Sequence, residues 1–585
     1  MNKLNKTFKI NPLYESDGYK VAHPMMIAEG TDYEYWTWIP RNLKYMPQGI
    51  DKIMSSHQQM VWRYIHSNFQ EGFFDQPIDV AHQFTRDMFK YLMIPYNFQG
   101  FAELHELGYL PVRIKALPEG VFTNKNIPHM TGINTVKGYA WLGLFLETLV
   151  SKLAWQGPTT ATIGSKFKRN AVEWVKKTDV NNLWLTDFMC HDFHSRGGNP
   201  FTSIAVGLGH AMSNKGSDTL NVIPASRYYY DFPEDEVPVF SVNASEHSVT
   251  CTGIFKYERQ LKSGKLNHEI EWYYSFKDVP SSGSVEAPDY LAIAECLNLR
   301  DWLKKFPTGI LSVVSDTMDL WKVITHILPR LKPEILARDG KLTIRPDSGD
   351  PIDITCGLDY QEIDKREDYD GDYKLVKYEG KFYQSEWVGY NSDDGEWIFN
   401  KLKTQPSESE QKGVIELLWD IFGGSTNEQG FKVLDSHIGA IYGDSINLER
   451  QVAIYDRLFG KEYASTNIIL GIGSFTYVML TRDSAGYAAK GAWFECEGEG
   501  YDIYKDPITD DGTKKSLKGL QMVWNNNPNC QGNQLLHDGH DDIKVKGECS
   551  KDEEQGGLLQ IIYEDGKFFN QTTLDEIRER INSVI

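Results

Sequence analysis

The chain has 585 residues, 41% of them apolar and 24% charged, so it can bury a large core and is expected to form more than one domain. Its formal net charge of -20 argues against nucleic acid as a partner, because binding a phosphate backbone requires a basic surface. The seven scattered cysteines contain no C-x-x-C pair, which is typical of free thiols in a reducing compartment. A polar N-terminus and the lack of a long apolar run predict a cytoplasmic protein with no membrane partner.

The first 180 residues mix aromatic stretches with amphipathic segments. A helix is predicted over 165–177, because Phe167, Ala171 and Val175 share one face and lysines occupy the other. This pattern indicates structure and no chemistry.

From about residue 181, short apolar runs recur, and each ends in a small polar turn. Buried strands with polar C-terminal ends are typical of a β/α barrel, whose loops at that end form the site. A doubly wound sheet would give similar strands, but the number of strand ends and a glycine-bearing loop on the last one favour the barrel. The runs span 183–186, 237–242, 311–314, 342–344, 438–442 and 468–470.

An acidic, aromatic insert lies between residues 361 and 412. It contains an alternating segment, 373–383, interrupted by Glu379 and Gly380. This pattern predicts a surface hairpin, to which we assign no catalytic role.

The turn Arg345-Pro346-Asp347-Ser348-Gly349 follows one of the apolar runs. Its arginine could neutralise a phosphate while its aspartate accepts ribose hydroxyls. The alternative is an ordinary β-turn, since every residue except Arg345 is a turn former.

Two further strand ends carry Asp316 and the pair Gly443-Asp444, which would suit vicinal hydroxyls or a magnesium-bound pyrophosphate. Each aspartate could instead be a helix N-cap. The segment Gly471-Ile472-Gly473-Ser474 would let backbone N–H groups approach an anion, although short Gly-x-Gly sequences are common.

His247 follows another strand end and could act as a base or a phosphate contact, or could be a structural histidine. Basic residues gather late in this acidic chain, as an anionic substrate would require. They are Arg482, Lys490, Lys505, Lys514, Lys515 and Lys518. The histidine- and aspartate-rich stretch 537–542 matches no familiar metal-ligand spacing.

Taken in order, these motifs resemble the nicotinate/nicotinamide phosphoribosyltransferase family. The resemblance implies a type II phosphoribosyltransferase fold: an α/β barrel over 181–479, beside a β-rich domain formed by residues 1–180 and 480–585. It also implies a homodimer with shared active sites. The matching motifs are 17–23, 192–197, 244–248, 345–349, 443–444, 480–483 and 505–507.

The resemblance assigns the base pocket to five residues. Phe193 and Tyr19 of the partner subunit would stack on the pyridine ring, and Arg196 and Ser312 would line the pocket. Asp218 would contact the amide. A carboxylate accepts a hydrogen bond from nicotinamide but repels nicotinic acid, which favours nicotinamide as the substrate.

The resemblance assigns the remaining residues to sugar, phosphate and catalysis. The implied reaction makes nicotinamide mononucleotide and pyrophosphate from nicotinamide and phosphoribosyl pyrophosphate, with Mg²⁺ and with stimulation by ATP through phosphorylation of His247. Its metal ligands are unassigned. The catalytic group is His247, Asp316, Arg345 and Asp347, and the ribose and phosphate group is Arg41, Gly443, Asp444, Gly473, Ser474, Arg482, Lys490, Lys505 and Lys514.

Two alternatives remain open, and a third is disfavoured. A nicotinate phosphoribosyltransferase would share the fold, and a catalytically silent homologue would only bind nucleotide. A sugar-phosphate lyase would need a Schiff-base lysine at a strand end, where none occurs. The chain departs from the family pattern in a shorter glycine run at 471–475 and in Ala488, which stands in place of a serine.

Overall fold

The computed structural model describes residues 10–93, 95–391, 394–443, 445–505, 517–525 and 543–585. The chain divides into two compact units. The first comprises Met1–Lys166, His194–Val239 and Tyr477–Ile585, and the second comprises Phe167–Phe193 and Phe240–Thr476.

A parallel sheet forms the centre of the second unit. Its strands are β1 Cys190–Asp192, β2 Asn243–Ala244, β3 Leu311–Val314, β4 Leu342–Arg345, β5 Ile438–Tyr442 and β6 Ile468–Ile472. Their spatial order is β1, β6, β5, β4, β3 and β2, so β1 pairs with β6 and each remaining strand pairs with the one before it in sequence. Every residue of β3 and β5 is buried, as expected for parallel strands covered on both faces.

Four of the six apolar runs are confirmed as strands β3 to β6. The prediction was wrong for 183–186, which lies in the 3₁₀ helix Val180–Asp187, and the strand comes only at β1. It was also wrong for 237–242, since the two-residue strand β2 starts after that run. Apolar content alone does not separate a short strand from a buried turn of helix.

Helices connect the parallel strands. Asp289 and Asn447 begin two of them by accepting a hydrogen bond from a backbone N–H two or three residues into the helix, which is ordinary N-capping. The helices are His247–Lys262, Asn267–Tyr274, Tyr290–Lys305, Leu320–Lys322, Leu328–Leu336, Pro351–Cys356, Glu408–Phe422 and Leu448–Gly460, with the π-helix Val323–Ile327 and the 3₁₀ helices Arg366–Asp368 and Ser465–Asn467.

The acidic insert forms its own four-stranded sheet from Tyr360–Ile363, Leu375–Tyr378, Lys381–Asn391 and Asp394–Lys401. Glu379 and Gly380 have φ values of 49° and 70°, which fits a two-residue hairpin turn. The predicted hairpin is therefore confirmed. A short pair, Gly424–Thr426 with Lys432–Leu434, follows it.

An antiparallel sheet dominates the first unit, with strands from both ends of the chain. Thr31–Ile39 lies near its middle, paired on one side with Ala488–Cys496 and on the other with Met130–Asn134. The spatial order is Glu499–Asp502, Ala488–Cys496, Thr31–Ile39, Met130–Asn134, Val112–Ala116, Gln560–Glu564 and Lys567–Phe568. The expected type II phosphoribosyltransferase-like fold, an α/β barrel with a β-rich domain from both termini, is confirmed, and its parallel sheet is curled.

The remaining elements are helices and two short strand pairs. The predicted helix 165–177 is confirmed within Gln156–Thr178, where Phe167, Ala171 and Val175 are buried. In the part of the chain that the structure describes, no helix has the length and apolar character needed to cross a membrane. The strand pairs are Ile53–Ser55 with Val121–Thr123 and Leu520–Asn525 with Ile543–Cys549. The first unit's helices are Pro12–Glu15, Gly18–Ala22, His23–Met26, Gln58–Phe69, Gln70–Phe74, Asp79–Leu92, Gly100–Leu107, Ala140–Leu153, Ser195–Gly197, Pro200–Ala211, Val222–Tyr230, Arg482–Ser484, Lys551–Glu554 and Leu574–Asn582.

Candidate active site

The C-terminal ends of the parallel strands bring the predicted catalytic residues together. Asp316 follows β3, Arg345 ends β4 and His247 follows β2. Because neighbouring parallel strands end at the same edge of a sheet, these side chains share one site in the second unit.

Asp316 is tied to the turn after β4. Its Oδ2 accepts a hydrogen bond from the backbone N–H of Asp347 at 3.0 Å and another from the Ser348 hydroxyl at 2.6 Å. The N-cap alternative for Asp316 is wrong, since Asp319 caps the following helix. The carboxylate therefore holds the turn and leaves its other oxygen, Oδ1, for another role.

Gly349 and Asp350 have ordinary structural roles in this turn. Gly349 has a φ of 92°, a left-handed conformation that favours glycine, and its carbonyl accepts a hydrogen bond from Tyr442 Oη at 2.8 Å. Asp350 caps the helix Pro351–Cys356. The turn-former interpretation thus explains Gly349 and Asp350 but leaves Arg345 and Asp347 for function.

Asp316 Oδ1 and Arg345 Nε, both buried at this edge, have no hydrogen-bond partner among the described residues, and neither does Ser312 Oγ within β3. The Asp316 side chain is only 7% exposed. Arg345 is held in place by its Nη2, which donates to the Ser245 carbonyl. Buried polar groups are nearly always paired. The unpaired carboxylate oxygen, hydroxyl and guanidinium N–H therefore mark positions where a ligand or water is expected.

His247 lies at the rim of the same group. Its Nε2 is 3.9 Å from Asp316 Oδ1 and 3.8 Å from Asp347 Oδ2, while Nδ1 is 3.1 Å from the Thr317 hydroxyl. The side chain is 48% exposed. An accessible ring nitrogen that faces two carboxylates is unlike the buried, fully bonded histidine of the structural alternative.

The Phe193 ring packs against Gly471 and lies close to Gly443. A Cβ placed on Gly471 would lie 2.6 Å from the Phe193 ring, so β6 must have no side chain there. A Cβ on Gly443 would lie 3.3 Å from Asp347 Oδ1 and 4.0 Å from Phe193 Cε2. The two glycines therefore let an aromatic face and the Asp347 carboxylate flank one space.

Gly473 and Ser474 follow β6, where the sequence predicted phosphate contacts. A Cβ on Gly473 would meet no described atom within 4 Å, so packing within the described residues does not require this glycine. Asp444, Lys514 and the stretch 537–542 lie outside the described residues.

Glu295 was not predicted from the sequence patterns. It lies on the buried side of the helix Tyr290–Lys305, and burial, then the charges of Asp319, Asp289 and Asp316, raises its pKa to about 8. A glutamate among alanine, leucine and cysteine on an apolar helix face was the available signal.

Four of the predicted phosphate residues come together in the first unit. Burial lowers the pKa of Lys490, and the positive charges of Arg41, Lys505 and Arg482 lower it further. We call Arg41, Arg482, Lys490 and Lys505 the cationic cluster. Lys518 is instead paired with Glu548 at 2.7 Å. Arg482 also lies 3.7 Å from Asp483, and the charge of Glu147 offsets part of the repulsion on Lys490. Several cations held close together are what an anion-binding site requires.

The first unit also contains three predicted base-pocket residues. Tyr19 is 62% exposed and lies on the 3₁₀ helix Gly18–Ala22. Arg196 lies on the 3₁₀ helix Ser195–Gly197, and Asp218 follows the short strand Gly216–Ser217; both are exposed. Phe193 and Ser312 belong to the second unit.

Comparison with known proteins identifies the family of the chain. Residues 188–555 match the model of the nicotinate phosphoribosyltransferase (NAPRTase) family. The chain belongs to this family. The resemblance drawn from the sequence motifs is thereby confirmed.

Similar proteins cover the chain almost from end to end. A nicotinamide phosphoribosyltransferase from Acinetobacter baylyi is 33% identical over 98% of each chain, and one from Xanthomonas campestris is 25% identical over 97% of each chain. The solved structure of human nicotinic acid phosphoribosyltransferase has a TM-score of 0.48 and 13% identity, over 97% of this chain and 93% of that one.

Proposed function

We propose that this member of the family transfers the phosphoribosyl group of phosphoribosyl pyrophosphate to nicotinamide, yielding nicotinamide mononucleotide and pyrophosphate. This is the salvage step of NAD biosynthesis. The observation that carries the proposal is the pair of unpartnered buried atoms, Asp316 Oδ1 and Arg345 Nε, at the strand ends where Phe193 and Asp347 also lie. A flat base and a polar sugar phosphate match these two kinds of surface.

The base would stack on Phe193, and Tyr19 of the partner subunit would cover its other face. Arg196 would line the pocket. Asp218 would accept a hydrogen bond from the amide N–H₂ of nicotinamide, whereas the carboxylate of nicotinic acid would be repelled. The choice of nicotinamide over nicotinic acid rests on this charge.

The chemistry is a displacement at the anomeric carbon. The bond from that carbon to the pyrophosphate oxygen breaks as the bond to the pyridine nitrogen forms, and positive charge develops on the ribose. Asp316 and Asp347 would stabilise that charge and orient the ribose hydroxyls, while Arg345 would bind phosphate. The cationic cluster, with Lys514, would receive the departing pyrophosphate, and Gly473 and Ser474 would bind the 5′-phosphate.

Magnesium fits this donor set. Mg²⁺ is usually bound through one or two carboxylates plus substrate phosphates, and Asp316 keeps an oxygen without a hydrogen-bond partner while Asp347 is 40% exposed. No group of three or more histidine, cysteine, aspartate or glutamate side chains poised for a metal occurs among the described residues. Asp316, Asp347 and Asp444 would hold the ion together with the pyrophosphate, whose charge it would neutralise.

ATP stimulation is proposed to act through His247. Its exposed Nε2 would attack the γ-phosphorus of ATP, break the bond to the β,γ-bridging oxygen and release ADP. The new phosphoryl group would lie near Asp316 and Asp347, because Nε2 is within 4 Å of both carboxylates. A negatively charged neighbour would favour the cationic ribose of the transition state.

The test is pyrophosphate release that depends on the added base. Purified protein is incubated with Mg²⁺, phosphoribosyl pyrophosphate and either nicotinamide or nicotinic acid, with Arg345→Ala as the inactive comparison. The proposal requires faster release with nicotinamide. Faster release with nicotinic acid would assign the chain to the acid-specific activity, and no release with either base would indicate the silent homologue.

A further inference from the structure

Tyr487 lies inside the segment that joins two members of the cationic cluster, Arg482 and Lys490. It is fully buried and precedes Ala488, the position where the chain departs from the family pattern. A tyrosine with no exposed surface makes no contact with a phosphate itself. Its contacts point inward, to the antiparallel sheet of the first unit.

Two aromatic partners hold the Tyr487 side chain. Its ring stacks on Trp38, with centroids 5.2 Å apart and planes 7° from parallel. Its hydroxyl lies 3.3 Å from Nδ1 of His129. Burial lowers the pKa of His129 to about 3, so this imidazole is neutral and has one N–H and one lone pair.

Thr123 holds the other side of the His129 ring. Its hydroxyl lies 2.8 Å from His129 Nε2 and 3.5 Å from the Ile53 carbonyl. In either tautomer of the neutral ring one nitrogen donates and the other accepts, so hydrogen bonds link Tyr487 through His129 to Thr123.

The backbone around Tyr487 connects this anchor to the cations. The Tyr487 N–H donates to the Arg482 carbonyl at 3.1 Å, which closes the turn that presents Arg482. The carbonyl of the preceding residue, Gly486, accepts a hydrogen bond from Arg41 Nε at 2.9 Å. Three residues later, Lys490 pairs with Thr37, next to Trp38 on the neighbouring strand. Movement of Tyr487 would therefore displace Arg41, Arg482 and Lys490 together.

We propose that Tyr487, held by His129 and Trp38, is a positioning residue that fixes the cationic cluster in its pyrophosphate-binding arrangement. The inference rests on the proposed function for the identity of the anion. It gives the segment an internal anchor at the residue before Ala488.

Tyr487→Phe tests the proposal, because it keeps the stacked ring and removes only the hydroxyl. The matched control is Tyr563→Phe in the same unit: Tyr563 is also buried, stacks on Trp62 at 5.3 Å and has its hydroxyl 3.5 Å from His66 Nδ1, but lies on the strand Gln560–Glu564. The direct readout is binding of inorganic pyrophosphate by titration calorimetry.

Tyr487→Phe is expected to weaken pyrophosphate binding about fivefold and to raise KM for phosphoribosyl pyrophosphate by the same factor, with kcat and KM for nicotinamide within about twofold of wild type. Tyr563→Phe is expected to lower the melting temperature comparably and to leave both constants unchanged. Equal pyrophosphate affinity in wild type and Tyr487→Phe would overturn the proposal, as would equal weakening in the two variants.

Thr123→Val provides a second, independent interruption at the far end of the hydrogen-bonded chain. It leaves His129 Nε2 without its hydrogen-bond partner and is expected to weaken pyrophosphate binding in the same direction; an unchanged affinity would count against the anchor. Calorimetry also separates this proposal from the proposed function. Wild type that binds pyrophosphate but forms no mononucleotide would refute the function alone, whereas wild type that binds no pyrophosphate would refute the anchor.

Discussion

Asp316 Oδ2 accepts a hydrogen bond from the backbone N–H of Asp347 at 3.0 Å, so the two proposed catalytic carboxylates are joined through the main chain of one turn. This hydrogen bond fixes the backbone position of Asp347, while Asp316 Oδ1 stays buried without a hydrogen-bond partner among the described residues. One residue therefore both shapes the site and offers an oxygen to it.

Asp316→Ala should lower kcat/KM for both substrates by about 100-fold or more, because it removes a transition-state contact and releases the turn. Asp319→Ala is the matched control: it removes the N-cap of the adjacent helix and should cost about 1 kcal/mol of stability while changing kcat/KM by less than about threefold. Steady-state kinetics and chemical unfolding of both variants decide the matter. Similar kinetic losses in the two would mean that Asp316 acts only through stability.

Gly471→Ala should displace the Phe193 ring, since the new methyl group would lie 2.6 Å from it. We expect KM for nicotinamide to rise roughly tenfold, with a smaller change in KM for phosphoribosyl pyrophosphate. Gly460→Ala is the control, because a Cβ there meets no described atom within 4 Å. An unchanged KM for nicotinamide in Gly471→Ala would remove Phe193 from the base site.

Glu295→Gln should stabilise the protein at pH 8 more than at pH 5. The folded-state pKa of Glu295 is raised from 4.5 to about 8, so between these values the unfolded chain is ionised while the folded chain keeps its proton. Stability from this group is fully present below pH 4.5 and declines as pH rises towards 8, by about 5 kcal/mol on an order-of-magnitude scale. Urea unfolding at the two pH values, with the exposed Glu271→Gln as control, checks this. A pH-independent difference between wild type and Glu295→Gln would contradict it.

Asp218→Asn should narrow the preference for nicotinamide over nicotinic acid by roughly tenfold, because the substitution removes the charge that repels the acid while keeping an amide-sized side chain. The ratio of kcat/KM for the two bases is the measurement. A ratio equal to that of wild type would place the selectivity elsewhere.

Shared active sites predict complementation. Tyr19→Ala and Arg345→Ala chains should each be inactive, and a mixture that exchanges subunits should recover about a quarter of wild-type activity, since one site in a mixed dimer is intact. Activity after mixing and re-equilibration tests this, with size-exclusion chromatography to follow the dimer. A mixture that stays inactive although mixed dimers form would show that each site belongs to one chain.

The sequence predicted the parts of the fold that depend on local patterns. Apolar runs gave β3 to β6, and the polar residues after them gave Asp316, Arg345 and the site they form. The short strands β1 and β2 were misplaced, because two or three residues in a strand leave no periodicity to read.

The missing parts depend on contacts between distant residues. Gly471 matters because Phe193 packs on it, and the proposed role of Tyr487 depends on the hydrogen bond between its hydroxyl and His129, 358 residues away. The raised pKa of Glu295 likewise arises from burial and then from the charges of Asp319, Asp289 and Asp316 around it. None of these contacts can be recognised from the local sequence around either residue.

The most direct test of the central claim is the identity of the product formed from an equal mixture of the two bases. Wild-type protein is supplied with Mg²⁺, phosphoribosyl pyrophosphate, nicotinamide and nicotinic acid, and the mononucleotides are separated and identified by mass spectrometry. The proposed function predicts nicotinamide mononucleotide as the main product, lost in Asp316→Ala. Nicotinic acid mononucleotide as the main product, or no mononucleotide at all, would contradict it.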